Sequence, residues 1–393
     1  MPLPYPLFDA DNHYYEPRDC FTRHIEPAHR DRAVHVRSDS DGNDRVFVGD
    51  EPCVWIDGVF GFDRNARPGS LAEQLRAEFT DSYETDVEIE ITAEFREREA
   101  RLARMDEQGL GAAFLFPSLG VCVEPYMAND PGQTFANLRA FNRWLDDDWG
   151  FAYRDRLFSA AMLSLLDVDL AVAELDTVLA RGARILCLRP GPVNGRSPAD
   201  PLFDPFWSRV EEAGAVVAYH SGNAGYTGFV SPLWGEDPSP PAHRMSAFQW
   251  ITCFADRPIM DTLAALVLHN LFGRFPGIRV LSVENGSLWA PYLYRTLDRM
   301  VGMAQNGPWI GGRIDDRPSR ILKRHVWISP FPEDDPVSLA KVIGEERLVF
   351  GSDYPHPEGL AEPADYATRL EAFSPDVQRR ILADNARELL GAG

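Results

Sequence analysis

The chain has 393 residues, of which 45% are hydrophobic and 25% charged. That is enough apolar material for a large buried core, and single barrels with insertions reach this length. A formal net charge of -21 at pH 7 argues against a nucleic-acid backbone or an anionic membrane as partner, because both select basic surfaces.

Leu7-Phe8-Asp9-Ala10-Asp11 reads as a short buried strand ending in polar residues. Residues 33–60 alternate apolar and polar around turn residues such as Ser40-Asp41-Gly42, which predicts a small β-hairpin insertion after this strand. Residues 69–79 and 91–108 are charged and amphipathic, hence helical. Strand-like and helix-like stretches then alternate. Ala112–Pro117, Phe158–Leu163, Arg184–Leu188, Val216–Tyr219, Ile278–Val283, His325–Ser329 and Leu348–Phe350 are the strands. Helices are expected over 133–149, 168–181, 204–213, 243–275 (broken near Pro258), 287–304, 336–344, 362–373 and 376–390. Eight apolar strands, each followed by a helical segment, predict a closed parallel (β/α)8 barrel, an α/β fold of TIM type. With no short-period repeat and no low-complexity linker, residues 1–393 read as one domain. A Gly- and Pro-rich loop over 221–241 reads as a lid at the barrel mouth.

Five scattered cysteines (Cys20, Cys53, Cys122, Cys187 and Cys253) form no CxxC pair and read as free thiols of a reducing compartment. No apolar run is long enough for a bilayer span, and the opening Met-Pro-Leu-Pro-Tyr-Pro lacks a signal-peptide pattern. The expected location is the cytoplasm.

Groups that can bind a metal fall where the predicted strands end. Asp11 and His13 follow strand one, His220 strand five, Glu284 strand six and Asp353 strand eight. In a barrel these ends share one face, the face on which such folds carry their active sites. Asp11 and His13 are two apart, so both point to the same side and can chelate one divalent ion. Either alone is an ordinary turn or core residue; together with His220 and Asp353 they predict one coordination sphere.

Asp9-Ala10-Asp11-Asn12-His13, Tyr219-His220-Ser221-Gly222, His269 with Arg274-Phe275-Pro276, Glu284-Asn285-Gly286 and Gly351-Ser352-Asp353-Tyr354-Pro355-His356 together resemble the amidohydrolase-related metal hydrolases and decarboxylases, including the aminocarboxymuconate-semialdehyde decarboxylase type. The resemblance runs from Asp9 to about Leu390. It implies a divalent metal held by Asp11 and His13 (usually a pair of histidines), His220 and Asp353, with His269 near a water or the substrate and His269 and Asp353 as the catalytic pair. Many two-metal members bridge their ions with a carboxylated lysine after strand four. Here that strand reads Arg184-Ile-Leu-Cys-Leu-Arg189, and the only lysines of the chain are Lys323 and Lys341. A second metal would then rest on His269 and Glu284, with Asp11 or Asp353 bridging, a carboxylate-rich set of the kind used by dinuclear iron proteins. The stretch Asp-Ala-Asp-Asn-His-Tyr-Tyr-Glu-Pro with Val-Glu-Asn-Gly-Ser is similar to a subgroup that includes nonheme diiron monooxygenases of diterpenoid antibiotic biosynthesis.

Tyr226 and Trp234 in the 221–241 loop, with Tyr14, Phe331, Tyr354 and His356 at strand ends, suit an apolar substrate at the mouth. Glu16 reads as a local cap. The leading expectation is oxidative: two Fe ions activate O2 and hydroxylate an unactivated carbon of a terpenoid-like acid or its acyl thioester. The alternative is a mononuclear Zn or Mn hydrolase or decarboxylase acting on a small carboxylated or cyclic substrate, with Asp353 or His269 handling the proton. Metal identity, electron donor and homo-oligomeric state are left open by the sequence.

Overall fold

A computed structural model describes residues 3–38, 44–57, 60–79 and 87–391. Strand β1 (Leu7–Tyr14) is buried at every position. The insertion after it contains β2 (Val34–Ser38), β3 (Asp44–Val48) and β4 (Glu51–Pro52), paired in antiparallel order, and a second small ladder of β5 (Arg64–Ala66) with β6 (Glu88–Glu90). The expected hairpin insertion is therefore present; its turn residues Ser40-Asp41-Gly42 lie outside the described residues.

The chain then returns to β7 (Leu110–Pro117), β8 (Leu157–Ser159), β9 (Ala161–Met162), β10 (Ile185–Leu188), β11 (Val216–His220), β12 (Arg279–Val283) and β13 (Val326–Ser329). All pair in parallel with their neighbours: β1 with β7, β7 with β8, and β9 through β13 in sequence. The third barrel strand is interrupted at Ala160, so β8 pairs back to β7 and β9 forward to β10. The eighth position is filled by Leu348–Phe350. Val349 N–H donates to Ile328 O at 3.1 Å, and Ala10 N–H donates to Phe350 O at 2.8 Å, which closes the ring between β13 and β1. This is the (β/α)8 barrel that the alternating pattern predicts. Its strands read as apolar runs because each is covered on one side by the lumen and on the other by helices.

Helices 98–108, 131–148, 168–180, 204–213, 256–268, 289–303 and 336–343 form the outer layer. Several start as their sequences dictate: Asp130 and Asp167 accept from the N–H three residues on, and Pro131 occupies the first turn where its missing N–H costs nothing.

Four local expectations change. The break in 243–275 falls at Phe254–Ala255, where Ala255 has φ +34°, and Pro258 sits inside the first turn of helix 256–268. The 221–241 loop is partly helical, over Tyr226–Val230 and Ser231–Trp234. Residues 363–370 form a 3-10 helix, not an α-helix. An additional helix, Pro318–His325, ends on the residue expected to begin strand seven. Among the described residues, no helix is long and apolar enough to cross a membrane. All five cysteines are free and buried.

Candidate metal centre

The register of β1 against β7 slips between Asp9 and Asn12, where three steps on β1 face two on β7. Such a bulge re-aims side chains next to active sites. Here it turns Asp11 and His13 toward a common point. Strand eight approaches so closely that a Cβ at Gly351 would come within 2.5 Å of Asp11 Cβ, so only glycine fits there. Glu284 and Asp353 both adopt left-handed backbone, with φ +53° and +56°. This conformation is uncommon for residues other than glycine, and at sites it marks strain that the surroundings hold in place.

Donor atoms gather around His13 and His220. His13 Nε2 lies 3.3 Å from Asp11 Oδ1, 3.4 Å from Asp353 Oδ1, 3.2 Å from His220 Nε2 and 4.0 Å from Glu284 Oε2. His220 Nε2 lies 3.5 Å from Asp11 Oδ1 and 3.3 Å from Glu284 Oε2. Ligands at about 2.0–2.2 Å from one ion are separated by roughly 3.0–3.4 Å when adjacent and about 4.2 Å when opposite. The spacings around His13 and His220 suit ligands of a shared ion, and the donors fall into two groups that meet at His13: Asp11, His13 and His220, and His13, Glu284, Asp353 and His356.

A second observation fits a cation. Asp11 Oδ1 is buried and has no hydrogen-bond partner, although two imidazole nitrogens lie within 3.5 Å. The atoms therefore aim at a shared point, not at one another. His220 Nδ1 donates to Ser221 O at 2.8 Å, which leaves Nε2 as the lone-pair nitrogen facing the site. Burial drives the carboxyls of Glu284 and Asp353 well above the usual carboxylate range, and their acidic neighbours add to the shift. For Asp11, burial also raises the pKa, but the approach of His13 and His220 outweighs it and the net shift is down. Two buried carboxylates, Asp11 and Asp353, and the mostly covered Glu284, with no lysine or arginine among them, are costly to hold without a positive charge.

Around these donors stands a supporting layer. Asp9 bonds to the Ser352 hydroxyl and N–H and to Asn12 Nδ2, tying strand one to strand eight. Asn12 in turn accepts from the buried Arg101 guanidinium. Glu16 is more than a local cap: its buried carboxyl takes the N–H groups of Leu119 at 3.0 Å and Gly120 at 2.9 Å, across from β1 to the turn after β7. Burial pushes its pKa up to about 7 against these bonds. His356 Nδ1 lies 2.7 Å from Asp353 Oδ1, and its Nε2 lies 2.8 Å from Ser118 Oγ.

A cleft opens beside His220, with Val121, Met162, Leu188 and Asn223 in its wall. Arg189 and Glu124 form an ion pair there at 3.1 Å, with 13% and 6% of their side chains exposed. Sequence reading missed Arg189, Glu124 and Ser118. Arg189 directly follows β10 and Ser118 directly follows β7, so the strand-end rule that found the metal donors would have found both.

Several expected site residues lie elsewhere. His269 caps helix 256–268 ten residues before β12 begins, whereas Glu284 follows the other end of that strand. Its carbonyl accepts from Arg274 in the outer layer, and among the described residues it joins no metal-binding group. That placement does not bring it beside Glu284. Tyr14 alternates outward from β1 and packs against Trp144 and Trp149. Tyr354 packs against Phe95 of the insertion under Arg101. Tyr226 sits in a side cluster with Ala224 and Cys253 and donates to Asp261. Trp234 is 67% exposed. Phe331 backs the Glu284 turn, where a Cβ on Gly286 would meet its ring at 2.9 Å. His356 is the one expected pocket residue that touches a donor.

A buried N/O donor set at the C-terminal ends of a parallel barrel defines a metal-dependent barrel enzyme. The chain matches the Amidohydrolase family over residues 9–392 and belongs to it. An amidohydrolase from Mycobacterium avium subsp. paratuberculosis K-10 is 38% identical, with a TM-score of 0.87, over 99% of this chain and 100% of that one. The dihydroxybenzoic acid decarboxylase of Polaromonas sp. JS666, solved with manganese and 2-nitroresorcinol, shares the fold at 13% identity and a TM-score of 0.61, over 98% and 97% of the two chains. The 2-amino-3-carboxymuconate-6-semialdehyde decarboxylase of Dictyostelium discoideum is 24% identical over 203 residues, so the match spans 51% of each protein.

Proposed function

We propose that the chain is a mononuclear metal-dependent decarboxylase of a small carboxylated aromatic acid, with Asp11, His13, His220, Glu284 and Asp353 holding one Mn or Zn ion. The observation that carries this reading is the gathering of N/O donors around His13 and His220 beside the Arg189 cleft. All-N/O donors suit these metals. The manganese and the aromatic ligand of the Polaromonas enzyme, and the decarboxylase names of the other relatives, point the same way.

The reaction breaks the ring–carboxyl bond, releases CO2 and returns a proton to the ring carbon. When bound, the ion supplies a Lewis acid at the inner end of the cleft. Arg189, in the wall, orients an acidic substituent of the substrate. Its Nε is engaged by Glu124, and Nη1 and Nη2 each make one bond to a backbone carbonyl, leaving further N–H groups available. The apolar wall of Val121, Met162 and Leu188 excludes water from the scissile bond. With His269 remote, the Asp353–His356 pair is the group left to handle the proton.

The expectation of two irons, O2 and a terpenoid acid or thioester gains no support: the relatives bear decarboxylase names, and among the described residues His269 joins neither metal-binding group. The test is metal analysis with a hydroxybenzoate panel, including 2,6-dihydroxybenzoate and 5-carboxyvanillate. One Mn or Zn per chain and CO2 release unchanged without O2 are expected. Two irons per chain with O2 uptake coupled to turnover would overturn the reading.

A further inference from the structure

Ser118 and His356 are joined to the metal centre by a chain of hydrogen bonds. The Ser118 hydroxyl has one proton, and it goes to Tyr14 O at 3.0 Å, because a carbonyl can only accept. Ser118 Oγ is then the acceptor toward His356, and His356 Nε2 is the donor at 2.8 Å. That bond fixes which way the ring faces: Nδ1 is turned to Asp353 Oδ1 at 2.7 Å. The same Oδ1 is the atom 3.4 Å from His13 Nε2, on the side of the converging donors. The ring is also held between aromatic neighbours, 4.0 Å from the His13 centroid and 5.8 Å from that of Tyr15.

The position of Ser118 is itself fixed. The turn it begins is clamped by the Glu16 carboxyl through the N–H groups of Leu119 and Gly120. Tyr14 O and Glu16 both belong to the segment leaving β1. The chain thus runs from strand one to the turn after strand two and on to the loop after strand eight. The Asp353 backbone is already tied to strand one, its N–H donating to Asp11 O at 2.8 Å, so Ser118 and His356 act on the direction of the side chain.

We propose that Ser118, acting through His356, is a positioning residue that holds Asp353 Oδ1 at the metal site and so sets the metal affinity of the chain. The inference rests on Asp353 being a ligand, as proposed above, but not on the reaction catalysed.

Outer bonds of this kind are worth about 10–100-fold in metal affinity. The test is Mn(II) titration of the metal-free protein, read by the loss of the free-ion electron paramagnetic resonance signal, with no substrate present. Ser118→Ala should weaken binding about tenfold or more, and Ser118→Thr, which restores the hydroxyl, should stay close to the parent. His356→Phe keeps the ring between its neighbours but removes both nitrogens, and should lose at least as much. The double variant Ser118→Ala/His356→Phe should bind no worse than His356→Phe alone, because Ser118 acts only through that ring. Parent-like affinity in Ser118→Ala, or additive losses in the double variant, would overturn the proposal. So would a parent chain that binds no Mn(II), whereas a parent that binds Mn(II) but decarboxylates nothing sinks the proposed reaction and leaves this inference standing.

Discussion

Glu284 and Asp353 come from different strands yet share one backbone conformation, with φ +53° and +56°, and both carry their carboxyls to His13, at 4.0 and 3.4 Å. The fold holds both in place at a cost in strain and in desolvation. Stability and function should therefore part company here.

Glu284→Gln removes a buried charge while keeping the shape of the side chain. The metal-free variant should be more stable than the metal-free parent by roughly 1–3 kcal/mol, the scale of an uncompensated buried polar group. Adding Mn(II) should reverse the order, since only the parent keeps the full donor set. Paired thermal melts with and without metal check this, and a variant less stable in both states would refute it.

His220 and His269 separate the geometric reading from the sequence pattern. His220→Ala should lose most of the bound metal while the chain stays folded. His269→Ala should keep metal content and turnover near the parent level, because the residue lies in the outer layer. Inductively coupled plasma analysis of both purified variants decides it; metal loss in His269→Ala would return that residue to the site.

Arg189→Met should raise KM for a carboxylated substrate and also cost about 3 kcal/mol of stability, because it leaves Glu124 buried without its partner. Adding Glu124→Leu should recover much of the stability but none of the substrate affinity. A double variant with parent-like KM would remove Arg189 from substrate binding.

Glu16 predicts a pH signature. Its folded pKa, raised by burial to about 7, exceeds its unfolded value, so the folded state holds the proton longer. The stability it contributes is complete below the unfolded pKa and is lost as pH rises through about 7. Glu16→Gln should flatten that part of the decline between roughly pH 4.5 and 7. Denaturant midpoints of the metal-free proteins across that range provide the measurement; identical slopes in both would count against it.

By itself the sequence determined the barrel and the face on which its chemistry sits. Buried parallel strands are apolar on both sides, so Val216–His220 and Arg279–Val283 stand out as runs that end abruptly in His220 and Glu284. Such endings name the donors without any knowledge of distance. What only the tertiary structure decided is direction and separation. The bulge at Ala10–Asp11 sends Asp11 and His13 inward, while Tyr14 packs outward on Trp144, a choice set by a register slip that no periodicity announces. His269 and Glu284 flank the same strand, and a linear pattern cannot tell that a five-residue strand holds them at opposite ends. Ser118 and His356 meet across the barrel mouth because ring closure brings the second and eighth strand ends to the same rim, and that proximity exists only once the sheet has closed.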